Sequence, residues 1–127
     1  MLLSFTGRCL DQKMDIAILG DVSRSMNKDH RNKLTRLVYL LVEKLGVSAS
    51  GNHYALGTFG SYAPIHSYLN SGRYYTAKNL KDLVRMRFKF VPKKVGTRTD
   101  LSMRGALKIF TREIGRASCR ERGCQYV

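Results

Sequence analysis

No apolar run in the sequence approaches the ~18 residues that a membrane-spanning helix requires, so no span is expected within these residues. The opening stretch, Met1 to Arg8, is too short and too soon interrupted for a signal-peptide core, so secretion is not written in the chain itself. Acidic residues are few: nine Asp and Glu stand against 23 Lys and Arg, a formal net charge of +14. That excess favours acidic partners such as nucleic acid, sulfated polysaccharide or anionic lipid, although a solvated basic surface has the same composition. Prolines number two and glycines 11, beside 43% hydrophobic residues, which argues against a disordered chain and for one packed domain. Only three cysteines occur, Cys9, Cys119 and Cys124, and they match neither zinc spacing nor a Cys-x-x-Cys redox motif. Catalytic signatures are missing too. There is no Gly-x-Ser-x-Gly, and Gly57-Thr58-Phe59-Gly60 lacks the lysine and the length of a phosphate loop. His30, His53 and His66 are scattered, without metal-ligand spacing, and suit surface or packing roles. No enzymatic activity is expected.

The last fifteen residues differ from the rest. Glu113 to Arg122 resembles the translation of a DNA-sequencing adapter, and nothing from Glu113 to Val127 continues the pattern before it. We therefore expect a lead-in over 1–13, a domain over 14–112 and a tail of artefactual origin over 113–127. Leaving out the tail's three basic and two acidic residues takes the net charge to +13.

The secondary-structure pattern is that of an α/β chain. Ile16-Ala17-Ile18-Leu19 is a short continuous apolar run ending at Gly20-Asp21, which suits a central strand buried on both faces. A helix is expected from Lys28 to Leu45, with Leu34, Leu37, Val38, Leu41 and Leu45 inward, Arg31, Lys33, Arg36 and Lys44 outward, and Gly46 as its stop. His53–Phe59 and Tyr62–Leu69 read as a hairpin, and Pro64 makes the second of these an edge strand. Helices over 76–87 and 100–111 complete the order β-α-β-β-α-α, the second burying Leu101, Ala106, Leu107 and Phe110. Arg85-Met86-Arg87-Phe88-Lys89-Phe90 interleaves basic and aromatic residues, as single-stranded nucleic-acid sites do. The competing reading buries Met86, Phe88 and Phe90 and turns the charges to water. No RRM-type signature accompanies the stretch, so nucleic acid is not expected. Arg85, Arg87, Lys89, Lys93 and Lys94 remain a candidate polyanion site, with sulfated polysaccharide as the matching ligand.

Asp21-Val22-Ser23-Arg24-Ser25 lies directly after the buried strand and before the long helix. In open α/β sheets ligands sit at the carboxyl ends of strands, in such loops. One carboxylate with alternating hydroxyls suits a hard divalent cation that keeps several waters, which describes Mg2+ better than Zn2+. Capping of the following helix by the same residues is the alternative.

Asp15 to Met26 resembles the first strand and the metal-ion-dependent adhesion site loop of von Willebrand factor A domains. Gly96-Thr97-Arg98-Thr99-Asp100-Leu101 is similar to that family's Gly-Thr-x-Thr segment, and the hairpin falls where the family has its second and third strands. The resemblance spans residues 14–112. It implies a three-layer, doubly wound, Rossmann-like fold, here truncated after about the first three strands. It also implies metal ligation by Asp21, Ser23, Ser25 and Thr97, with Mg2+, or Mn2+ or Ca2+ in its place, as cofactor. Asp100 is a candidate outer-sphere acceptor for Thr97, or the cap of the last helix. The implied partner is a protein that supplies a Glu or Asp carboxylate to the metal, with collagen or another matrix protein as an example. Family membership implies an extracellular setting, with no chemical turnover. Two other readings are an intracellular module of the same fold that binds RNA or assembles a complex, and a truncated gene product. The family's further Asp, in a Thr-Asp-Gly turn after its fourth strand, has no counterpart here. Loss of the later strands would leave the first strand with a bare edge, a template for aggregation.

Overall fold

The computed structural model describes residues 2–6 and 13–111. Cys9, Arg112 and the tail from Glu113 to Val127, with Cys119 and Cys124, lie outside the described residues. The elements are β1 (Leu2–Thr6), β2 (Asp15–Asp21), α1 (Lys28–Leu45), β3 (His53–Phe59), β4 (Ile65–Ser67), α2 (Ala77–Lys89) and α3 (Thr99–Thr111), with one 3-10 turn at Gly72–Tyr74. The sheet runs β1-β2-β3-β4. The β2–β3 pair is parallel, Asp15 facing His53 and Asp21 facing Phe59, and β4 returns antiparallel along β3. That β4 is short and terminal follows from Pro64, which cannot donate to a ladder.

Alternation along β2 and β3 explains the unbroken apolar run. Ile16, Ile18, Tyr54 and Leu56 face one side and pack with Val38 and Val42 of α1 and Leu80, Leu83, Val84 and Phe88 of α2. Ala17 and Ala55 face the other side, with Leu69 and with Ile109 and Phe110 of α3. Strands buried on both faces have no polar side, so the sheet is the middle of three layers. Small residues on the α3 face let that single helix approach, and its Gly105 is buried there.

Several inward positions differ from those read off the sequence. On α1 the buried phase is Arg31, Val38 and Val42, while Leu37 is 49% exposed. On α3 Phe110 is buried as expected, but Leu107 is 65% exposed, and Ser102, Gly105 and Ile109 are buried in its place. In the basic–aromatic stretch only Phe88 is buried, whereas Met86 and Phe90 are exposed. The cause is that α2 continues through Lys89, so Leu80, Val84 and Phe88 recur at helical spacing and the period-two pattern of Met86, Phe88 and Phe90 does not apply.

The edge expected to be bare is also covered. Leu2–Thr6, within the segment read as a lead-in, pairs antiparallel with β2 along its whole length, Leu2 opposite Leu19 and Thr6 opposite Asp15. β2 is therefore an interior strand.

The end of β2 is tightly fitted. A Cβ built on Gly20 would lie 2.6 Å from two ring carbons of Phe88, a fully buried side chain. Gly20→Ala is expected to lower stability by about 1–3 kcal/mol, the usual cost of overpacking a core. Urea unfolding measures this, and an unchanged midpoint would show that the ring has room to move.

Candidate functional site

The metal-loop residues sit where β2 ends. Asp21 is its last residue, Ser23 is buried and Ser25 exposed, and Ser23 and Ser25 hydroxyl oxygens stand 3.2 Å apart. The Ser23 backbone N–H donates to Asp21 Oδ1 at 2.9 Å, which folds the loop back over the carboxylate. None of the three caps α1. That role belongs to Asn27, whose Oδ1 accepts the His30 N–H at 2.9 Å. With capping assigned to Asn27, the loop's carboxylate and hydroxyls remain available for a ligand.

The second loop meets the first through the turn after β3. Val22 N–H donates to Phe59 O (2.9 Å), and Arg98 N–H donates to Gly60 O (2.7 Å). A Cβ on Gly60 would stand 3.3 Å from Ser23 Cα, so the two loops flank one narrow turn. Gly96 has φ +151°, where a side chain would be strained, and its open face lies against Ser61. This fixes Thr97, which is exposed, just before α3. Asp100 lies inside the first turn of α3, where it is bound by Arg98 through Nε (2.9 Å) and Nη2 (2.7 Å). That fork of hydrogen bonds, foremost, holds its carboxyl down at about 2. Asp100 thus engages Arg98.

One residue that ties the loop to the rest of the fold escaped the sequence reading. Arg31, expected on the outer face of α1, is 4% exposed. Its Nη2 donates to Val22 O (2.7 Å) and Ser23 O (2.6 Å), Nε to Met26 O (2.9 Å), and Nη1 to Phe90 O (2.8 Å) and Phe88 O (3.3 Å). Burial lowers its pKa, and the Asp21 charge opposes that shift. Its position seven residues before Val38, in the buried phase of α1, was the signal. Arg24 makes a lesser tie, Nη1 to Lys93 O at 3.2 Å.

Beside this loop lies a cavity of about 320 Å³, bounded by Val22, Thr58, Tyr62, His66, Arg87 and Phe90 among others. His66 Nε2 and Thr58 Oγ1 share a hydrogen bond of 2.7 Å. Burial first, and the Arg87 charge second, press the His66 pKa down to about 4. An unfolded His titrates near 6.5 and takes up its proton first as pH falls. Stability is therefore full above pH ~6.5 and is lost between about 6.5 and 4. His66→Gln should remove that part of the acid sensitivity, read as Tm against pH; an unaltered profile would place the sensitivity elsewhere. His53 packs, stacked on Tyr75 at 4.2 Å, and His30 is an exposed residue of α1.

The candidate polyanion residues Arg85, Arg87, Lys89, Lys93 and Lys94 are all exposed, at the end of α2 and in the loop after it. Arg85 is paired with Asp82 (3.4 Å), and Lys94 stands over the Tyr62 ring at 5.8 Å.

The donors gathered at Asp21, Ser23 and Ser25 are all oxygen, with one carboxylate whose Oδ1 is held by the Ser23 N–H. This set fits a hard cation. Among the described residues no cluster of three or more His, Cys, Asp or Glu offers another metal site.

The von Willebrand factor type A domain family matches residues 15–123, beginning at the first residue of β2. Among solved structures, the chain is similar to proximal thread matrix protein 1 from the mussel byssus with a zinc-occupied MIDAS motif, at 24% identity and TM-score 0.65, covering 78% of this chain and 25% of that one. A second crystal form of that protein gives 22% identity and TM-score 0.66 over 80% of this chain and 26% of that one. A third structure gives 21% and 0.65 over 88% and 28%. The chain spans about a quarter of the length of these solved chains. No curated protein matches it.

Proposed function

Because the chain belongs to the von Willebrand factor type A domain family, an adhesion and protein-binding class, we propose that it binds an acidic residue of a protein partner through a divalent cation held by Asp21, Ser23, Ser25 and Thr97. The observation that carries this reading is the loop itself: a carboxylate held by the Ser23 N–H and two hydroxyls 3.2 Å apart at a strand's carboxyl end, with the helix cap supplied by Asn27. Mg2+ is the cation that suits this oxygen set, with Mn2+ or Ca2+ as substitutes. The zinc reported for the mussel protein's MIDAS motif supports a divalent ion of some kind. When bound, the ion would offer a coordination position to a Glu or Asp side chain. The protein's own part is to orient the ligands: Ser23 N–H fixes Asp21, and Arg31 fixes Val22 and Ser23. Family-type function supports a non-enzymatic module. The byssal setting of the similar structures favours secretion and a collagen or other matrix partner. No described helix is long and apolar enough to cross a membrane. The artefactual origin of 113–127 stays part of the same proposal, and a transcript read through the Arg112 codon decides it.

The test is capture of a Glu-containing peptide by the chain in Mg2+, repeated in EDTA and with Mn2+, Ca2+ and Zn2+. Binding restored by a divalent ion and lost in EDTA is the expected result; capture indifferent to EDTA would defeat it. A second reading draws on the exposed, largely unpaired charges at Arg87, Lys89 and Lys93: capture of sulfated polysaccharide, independent of metal. That binding would fall steeply with salt and survive EDTA.

A further inference from the structure

We propose that the cavity beside the metal loop is a separate binding site for a small organic carboxylate, its apolar tail against Val22, Pro64, Phe90 and Pro92 and its carboxylate on Arg87. The walls are chiefly apolar, and the volume of about 320 Å³ holds about ten non-hydrogen atoms at the ~30 Å³ each occupies in a liquid such as water. Among the described residues, the only charged side chain on its lining is Arg87. Nearby arginines are engaged, Arg85 with Asp82, Arg98 with Asp100 and Arg31 with backbone carbonyls. Arg87 has no hydrogen-bond or ion-pair partner among the described residues, and it is close enough to act on His66. The imidazole is already joined to the Thr58 hydroxyl and stays uncharged at neutral pH. One unpaired guanidinium at the side of an otherwise neutral, apolar cavity selects a monoanion with a hydrophobic body. Guanidinium presents two parallel N–H donors to a carboxylate, so a carboxylate is favoured over a halide or an alcohol.

The site does not use the divalent cation, so its test is run in EDTA, where the metal-binding reading plays no part. Phenylpropionate, a probe of the right size, is titrated into isotope-labelled protein and followed by amide chemical shifts. Saturable shifts are expected at Val22, Thr58, Tyr62 and Phe90. The corresponding alcohol, phenylpropanol, should bind at least about tenfold more weakly. Arg87 is exposed and unpaired among the described residues, so Arg87→Gln should leave the fold intact, as the unperturbed spectrum outside the cavity would show. In that variant acid and alcohol should bind alike. Absence of saturable shifts overturns the proposal. So do equal affinities of acid and alcohol for the unaltered protein, or a preference for the acid that survives Arg87→Gln.

Discussion

Asp21→Ala is expected to weaken Mg2+ binding, and with it capture of an acidic ligand, by more than about a hundredfold. That exceeds the ~10–100-fold typical of removing an outer-shell partner of a metal, because Asp21 supplies the only carboxylate in the loop. The alanine also removes the acceptor of the Ser23 N–H, so loss of binding alone could reflect a loosened loop. Asp21→Asn separates the two effects. Its amide oxygen can keep the 2.9 Å bond to Ser23 N–H while the negative charge is gone. If charge on the cation is what matters, both variants fail in a calorimetric Mg2+ titration while both unfold at urea concentrations close to that of the parent. Retained Mg2+-dependent capture in Asp21→Asn would show that the negative charge of Asp21 is not what holds the cation. Ser23 and Ser25 should be milder in effect, since a water can replace either hydroxyl.

The strand–loop–helix unit around Asp21 was legible because each part has a local signature. Ile16 to Leu19 is apolar on both faces since both faces are covered, and the loop falls between a strand stop and a helical repeat. The parts that escaped depend on distant chain. Leu2–Thr6 gains its place through antiparallel pairing with β2, and five residues without a clear turn signal do not announce such a partner. The phase of α2 was misjudged at Met86 and Phe90 because alternation and helical repeat share Phe88 but part company on either side of it. In the site, the fork between Arg98 and Asp100 was hidden since an Asp just before a helical repeat reads as a cap or as an outer-sphere acceptor for Thr97, and neither reading points to Arg98. The cavity is assembled from three separate stretches of chain, Val22 after β2, residues 58–66 from β3 through the turn into β4, and residues 87–92 at the end of α2 and beyond it, and no single window of sequence shows all of it.

Arg31 is where the fold and the site are most closely joined, and its replacement should have the largest effect on stability. A charged residue in the buried phase of a helix is normally destabilising unless its donors are satisfied. Here Nε, Nη1 and Nη2 all reach backbone carbonyls, of Val22, Ser23 and Met26 in and beside the metal loop and of Phe88 and Phe90 at the end of α2. Arg31→Met keeps much of the side-chain volume and removes every donor. Hydrogen bonds to charged groups are each worth about 1.5–3 kcal/mol, but the bonds to Met26 O and Phe90 O are only partly buried, so water can replace part of them and the contributions do not add in full. A loss of about 3–5 kcal/mol is expected, a large share of the ~5–15 kcal/mol that holds a domain together. Arg31→Lys retains the charge yet cannot span carbonyls on two sides at once, and it should lose most of the same stability. Arg24→Ala, which gives up one exposed bond to Lys93 O, should change stability by no more than about 0.5 kcal/mol. Urea unfolding of the three variants supplies the comparison. An Arg31→Met protein as stable as its parent would show that the five carbonyls do not need the guanidinium. Because Nη2 grips the carbonyls of both Val22 and Ser23, Arg31→Lys should also bind Mg2+ more weakly under conditions where it is still folded. That would make Arg31 a positioning residue for the metal loop, with the end of α2 as its anchor.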